Sequence, residues 1–189
     1  MRPVNVSEVK NIAEYELLRP AWRPEIMALK EWRRVSLGEH FTLLFENRET
    51  VLYQIQEMMR IERIVKPEEI AHEVETYNEL IPGSGELSAT LLIEYETPEE
   101  RALRLHALLG LESHIWLECA GRRCQARFDD RQASAERLSS VQYVKFPLLP
   151  EQIAEFSRGA QLIVDHPHYQ AKWTLTPAQL CELHRDLSE

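Results

Sequence analysis

The stretch from Glu46 to Arg63 interleaves carboxylates, guanidiniums and an amide: Glu46, Arg48, Gln56, Glu57, Arg60, Glu62 and Arg63. Such a set can fork onto an anion or a partner's carboxylate through its arginines, ligate a metal through its acids, or tune one acid by burial. Asn47 is placed to cap a helix from about Arg48 to Ile64. On a helical wheel Val51, Leu52, Ile55, Met58 and Met59 share one side, and Tyr53, Gln56, Arg60 and Arg63 the other. Glu62 breaks the pattern, because it lies in line with Val51, Ile55 and Met58. If buried there, it needs an arginine partner or a proton. Such a carboxylate is a tuned acid or metal ligand, or else a structural ion pair or the sign of a helix that has already ended. The face carrying Tyr53 and Arg60 is likewise either a docking surface or simply solvated.

Two further constellations bear on chemistry. Asp165-His166-Pro167-His168-Tyr169 puts two imidazoles around a proline after a strand, where His166 and His168 can share one face and hold iron, manganese or zinc, with Asp165 behind them. The same run also suits a structural turn. Cys119 and Cys124, with Cys181 and His184, give the spacing of a zinc site, but both hairpin cysteines fall on the apolar face with Ile115 and Leu117, as buried thiols do. No nucleophile elbow, phosphate loop or dinucleotide fingerprint occurs.

The elements that must position these residues read as α+β. Residues 6–34 have helical spacing broken at Pro20 and Pro24, which predicts two short helices. A strand follows at Phe41–Glu46, then the Arg48 helix, then one opened by Pro67. Past the break at Pro82-Gly83-Ser84-Gly85, strands are expected at 87–95, 113–119, 124–129, 140–148 and 160–165, with helices capped by Thr97 and Thr176 and a short one from Pro150. Strands 113–119 and 124–129 pair with Cys119 opposite Cys124 if four residues form the turn. The expected architecture is a single domain over residues 1–189: an antiparallel sheet of about five to seven strands with helices packed on one side and the N-terminal helices first. It is mainly helical over 1–82 and sheet-rich over 86–189.

Charge narrows the function classes. The chain carries 31 acids against 22 bases, net −9, which argues against a nucleic-acid binder or a binder of anionic membranes. The excess lies wholly beyond residue 64, since the first 64 residues hold ten of each sign and a cluster of arginines. No apolar run is long enough to span a bilayer, so a cytoplasmic protein with reduced cysteines is expected.

Several segments carry a family likeness: Glu14-Tyr15 with Arg19-Pro20, Lys30 with Arg33-Arg34 and Leu37-Gly38, the run Thr42 to Arg48, Gln54 to Met58, Arg60 to Ile64, Tyr77 to Pro82, Ile93 to Tyr95, Trp116-Leu117 and Asp165 to Tyr169. In these the chain resembles, over nearly its whole length, an uncharacterised bacterial family classed as a domain of unknown function. Its members look like genomic neighbours of rubrerythrin-like and iron–sulfur proteins, so the resemblance implies a link to redox or iron metabolism. The reading that follows is a non-enzymatic accessory module using the arginine-rich N-terminal third to dock a rubrerythrin-like or iron–sulfur partner. The alternatives are a metal-dependent or small-ligand enzyme built on Glu46, Arg48, Glu57, Arg60, Glu62 and His166, and a homo-oligomer subunit.

Overall fold

In a computed structural model of the chain, residues 1–129 and 138–188 are described. The α+β class holds, with helices first, and the strands divide between two antiparallel sheets. Helix α1 (Ile12–Arg33) leads into strands β1 (Arg34–Leu37) and β2 (Phe41–Glu46), followed by helices α2 (Arg48–Glu62) and α3 (Pro67–Asn78). Strand β3 (Glu86–Ile93) and helix α4 (Pro98–Ala107) precede the short strands β4 (Ile115–Cys119), β5 (Arg122–Gln125) and β6 (Arg127–Phe128). Then come β7 (Val141–Pro147), helix α5 (Pro150–Glu155), β8 (Ala160–His166), β9 (Tyr169–Thr174) and helix α6 (Pro177–Ser188). One sheet has the order β1-β2-β3-β7-β6 and the other β5-β4-β8-β9. No described helix is long and apolar enough to cross a membrane.

The two sheets face each other across the main core. Phe41, Leu43 and Phe45 of β2, Leu87 and Leu91 of β3, Leu117 of β4 and Leu162 of β8 meet there, with Leu183 and Leu187 of α6. At one edge the chain passes from sheet to sheet between β5 and β6. At the other, Tyr169 of β9 stacks on Phe41 at 4.0 Å, donates to Leu37 O at 2.8 Å and accepts from His40 N at 3.1 Å. The turn beneath it needs Gly38, whose φ is +78° and whose added Cβ would strike the Tyr169 hydroxyl. A second, smaller core of Val51, Ile55 and Met59 with Val4, Val74 and Ile81 joins α2 and α3 to the N-terminal segment.

Two expectations are corrected. Helix α1 runs unbroken through Pro20 and Pro24. Both prolines sit on its exposed side, where the carbonyls they leave unpaired meet water, while Tyr15 and Ile26 are buried on the other. The β4–β5 hairpin closes on two residues rather than four. Ala120 and Gly121 both have positive φ, +51° and +68°, the geometry that matches strand twist in a tight hairpin. Cys119 therefore faces Arg122, and Leu117 faces Cys124. A shift of two residues keeps every side chain on its expected face. The second strand also ends early, because Arg127 and Phe128 leave to pair with β7. Strands β1 and β9 were not anticipated.

Arg33, at the last turn of α1, has no exposure at all. Its Nε donates to Phe45 O at 2.9 Å and one terminal nitrogen to Glu46 O at 3.1 Å, while the head also pairs with Glu182 at 2.9 Å and with Asp186. One guanidinium thus ties α1 to the end of β2 and to α6. Arg33→Met leaves buried acceptors and a buried Asp186 without their cation, and should cost about 3–5 kcal/mol of unfolding free energy in a denaturant titration. A cost below about 1 kcal/mol would mean that the ion pairs are dispensable.

Candidate functional site

The polar residues of α2 serve mainly to hold the N-terminal segment, and they do so one by one. Arg48 pairs with Glu8 at 2.5 Å, and the Asn5 N–H, Arg48 and Arg2 together hold Glu8 down to a pKa of about 2. Gln56 is buried and both accepts from Lys10 N at 2.7 Å and donates to Lys10 O at 3.0 Å. Glu57 receives Arg19 at 2.7 and 2.9 Å and the Tyr15 hydroxyl at 2.6 Å. Arg60 lies 3.5 Å from Glu57 and Glu16. Tyr53, on the face with Gln56, is buried edge-on against Trp22 of α1. The face opposite the aliphatic residues is therefore covered by α1 at Tyr53 and Gln56, while Arg63 at its end is exposed.

Three of the predicted site residues lie elsewhere. Glu46 is buried and accepts from Thr50 at 2.5 Å and Thr90 at 2.8 Å. Glu62, expected in the apolar face, is exposed as the last residue of α2. Arg63 stops the helix in a left-handed conformation, φ +55°, and Ile64 takes the buried place through its N–H to Met59 O. The seven residues do not line one pocket. The α1 partners were hidden in the sequence because the spacing of Tyr15, Arg19, Trp22, Ile26 and Arg33 reads as one helical face only if Pro20 and Pro24 are allowed within the helix.

The histidines are similarly engaged. His166 is buried, with Nε2 3.2 Å from Leu109 O and Nδ1 accepting from His168 N at 3.2 Å. Burial lowers its pKa, so the neutral ring keeps both bonds. Asp165 serves His114, Trp116 and Arg123 instead, at 3.1, 3.0 and 3.4 Å. A metal at His166 would have to displace one of these bonds. Among the described residues no group of three or more His, Cys, Asp or Glu is placed to hold an ion. Cys119 and Cys124 are buried thiols whose pKa rises with burial, that of Cys119 to about 11, and Cys124 donates to Pro147 O at 3.0 Å.

Beside an acidic groove lined by Glu62, Glu68, Glu69, His72 and Glu73, two concavities of mixed lining stand out among the described residues. The first is a groove of about 380 Å³ at the seam where α1, β1 and β9 converge, lined by Met27, Lys30, Glu31, Arg34, Ser36 and Trp173. Lys30 is half-buried, its ammonium 5.4 Å from the Tyr53 ring centre. Burial lowers its pKa, Glu46 opposes that and Arg34 adds to it. Neither Lys30 nor Arg34 forms an ion pair among the described residues. Gln179 braces the seam, accepting from Trp173 at 3.3 Å and donating to Arg34 O at 3.0 Å. The second is a cleft between α3 and the outer face of the five-stranded sheet, in two lobes of about 430 and 250 Å³ that share Glu79, Leu80, Asp129 and Tyr143.

The sequence model of a family described as "Protein of unknown function (DUF3501)" matches residues 3–187. The chain belongs to that family. A solved structure is also similar to it: the crystal structure of a novel protein of unknown function from Burkholderia pseudomallei K96243 is 31% identical, with a TM-score of 0.92, and covers 98% of this chain and 100% of its own. No curated protein matches. Membership in DUF3501 thus accounts for the fold and leaves the chemistry to the residues.

Two outcomes follow from this geometry. Glu57, held at a pKa of about 2 mainly by Arg19 against an ordinary 4.5, stabilises the fold fully above pH 4.5 and loses that contribution as pH falls toward 2. Glu57→Gln should therefore cost on the order of 2 kcal/mol at pH 7 and progressively less below pH 4.5; a cost independent of pH would contradict the ion pair. In thiol labelling, the exposed Cys181 should react first, and Cys181→Ser should leave two thiols that react only as the protein opens.

Proposed function

We propose that this protein is a non-enzymatic accessory module that docks an acidic segment of a protein partner in the seam groove, the partner being a rubrerythrin-like or iron–sulfur protein of redox or iron metabolism. The observation that carries this reading is the pair Lys30 and Arg34. Two neighbouring cations without ion pairs among the described residues repel each other, in a chain whose net charge is −9. A partner carboxylate between them relieves that repulsion and supplies the ion pair that half-buried Lys30 lacks.

The surroundings suit a protein segment. Trp173 is 37% exposed and Trp32, on the same end of α1, is 52% exposed; aromatic side chains of this kind anchor interfaces. Glu31 at the rim disfavours a uniformly acidic ligand and favours one with mixed charge. Arg33, buried one residue before Arg34, fixes the groove wall before any partner arrives, so little ordering is lost on docking. A pocket built from Glu46, Arg60, Glu62 and His166 has less to support it, since Glu46, Arg60 and His166 are held by different partners and Glu62 is exposed.

The test is titration of the full chain with purified rubrerythrin-like and iron–sulfur proteins at two salt concentrations. Binding should weaken with salt, and the Lys30→Gln/Arg34→Gln double variant should lose about tenfold or more in affinity, while Lys66→Gln, at the cation just before α3, leaves it unchanged. No complex at micromolar concentration, or a double variant that binds as the parent does, would overturn the proposal.

A further inference from the structure

Helix α1 is covered on one side only. Its outer side carries Leu17, Leu18, Ala21, Pro24, Ala28 and Trp32, all exposed and all within about 120° of arc on a helical wheel. Leu17 is 84% and Leu18 48% exposed, and single exposed leucines are ordinary, but six apolar residues along one face of one helix form a continuous strip. Within it Leu18, Ala21, Glu25, Ala28 and Trp32 follow alternating three- and four-residue steps, the spacing of a seam that meets a second helix. Ala21 and Ala28 let another backbone come close, to about 8 Å between axes, and Leu18 and Trp32 close the two ends. From Leu17 to Trp32 the strip runs about 22 Å at about 1.5 Å per residue, so it matches a helix of about four turns.

The polar groups of this face only accept. The four bases of α1, Arg19, Arg23, Lys30 and Arg33, gather on the opposite side of the wheel, while Glu14, Glu25 and Glu31 lie in or beside the strip without an ion pair among the described residues. Pro20 and Pro24 have no N–H to give the carbonyls of Glu16 and Pro20, which remain acceptors along one margin. Glu25 stands at the middle of the seam, where a docked helix would take it out of water. That helix must therefore bring a cation to the same place. A second copy of this chain does not, because a two-fold pairing that sets Leu18 against Trp32 sets Glu25 against its own counterpart.

We propose that the outer face of α1 docks a basic amphipathic helix of a protein partner, its apolar stripe along Leu18, Ala21, Ala28 and Trp32 and a lysine or arginine opposite Glu25. The apolar strip supplies the contact area, and the charge at its centre fixes the register. This surface is distinct from the seam groove, whose cation Lys30 lies on the other side of the helix and which takes an acidic segment.

The experiment is fluorescence-anisotropy titration of the intact protein with three labelled synthetic peptides of about sixteen residues. One is a leucine, alanine and lysine helix with a lysine at the centre of its apolar stripe, the second has glutamate at that position, and the third is the first scrambled to remove helical periodicity. The first should bind at micromolar concentration and the other two at least about tenfold more weakly. Leu18→Gln and Glu25→Lys should each weaken the first peptide about tenfold or more at unchanged thermal midpoints, and Glu25→Lys should gain affinity for the glutamate-centred one. Leu103→Gln, at an exposed leucine of α4, should change nothing, and Lys30→Gln/Arg34→Gln should keep binding within about twofold, which separates this face from the seam. The proposal fails if the scrambled peptide binds as well as the first, which would make the attraction one of net charge, or if Glu25→Lys has no effect. It fails equally if sedimentation shows a dimer that Leu18→Gln dissociates, since a second copy would then cover the face.

Discussion

The buried guanidinium of Arg33 is the constraint on which most of the arrangement depends. Helix α1 ends there, and the same side chain reaches two carbonyls at the end of β2 and two carboxylates of α6. A charge without solvent needs every donor matched, and this one is matched from two elements far apart in sequence, β2 and α6. The direction of α1 across α2 and the place of β1 beside β9 follow from that anchor. The seam groove is a consequence, since Lys30 lies one turn before Arg33 and Arg34 directly after it.

A second set of polar contacts works alongside it. Arg48 with Glu8, Gln56 with the Lys10 backbone, and Glu57 with Arg19 and Tyr15 fasten residues 5–19 along α2. The residues that look most like an active site in the sequence are therefore occupied in holding the N-terminal third to the rest. Of the ten acids and ten bases in the first 64 residues, Arg2, Arg19, Arg33, Arg48 and Arg60 and the acids Glu8, Glu16 and Glu57 are held in ion pairs. Lys30 and Arg34, without ion pairs among the described residues, line the seam groove.

What the sequence disclosed and what it concealed divide along the range of the interaction. Asn47, Thr97 and Thr176 cap the helices that they were expected to cap, because a cap is settled within four residues. The faces of β2, β3 and β4 were legible from alternation alone. Pro20 and Pro24 misled, because their local cost is offset by packing of Tyr15, Trp22 and Ile26 that no local pattern reveals. The hairpin turn misled in the same way, since Ala120 is not a residue that advertises positive φ. Glu62 misled because the helix stops at the next residue. Strand β9 was missed because its side chains are largely exposed and alternate weakly. Neither concavity was legible, as each draws its lining from elements brought together only by the fold.

The central claim is that the unpaired cations at the seam, and not the paired ones on α2, form the docking face. Backbone and indole NMR shifts followed during titration with an acidic peptide measure this most directly. The account predicts shifts concentrated at Lys30, Arg34, Ser36 and the Trp173 indole, with Arg19, Glu57 and Arg60 unmoved. Shifts centred on α2 and the N-terminal half of α1, with the Trp173 indole unchanged, would contradict it.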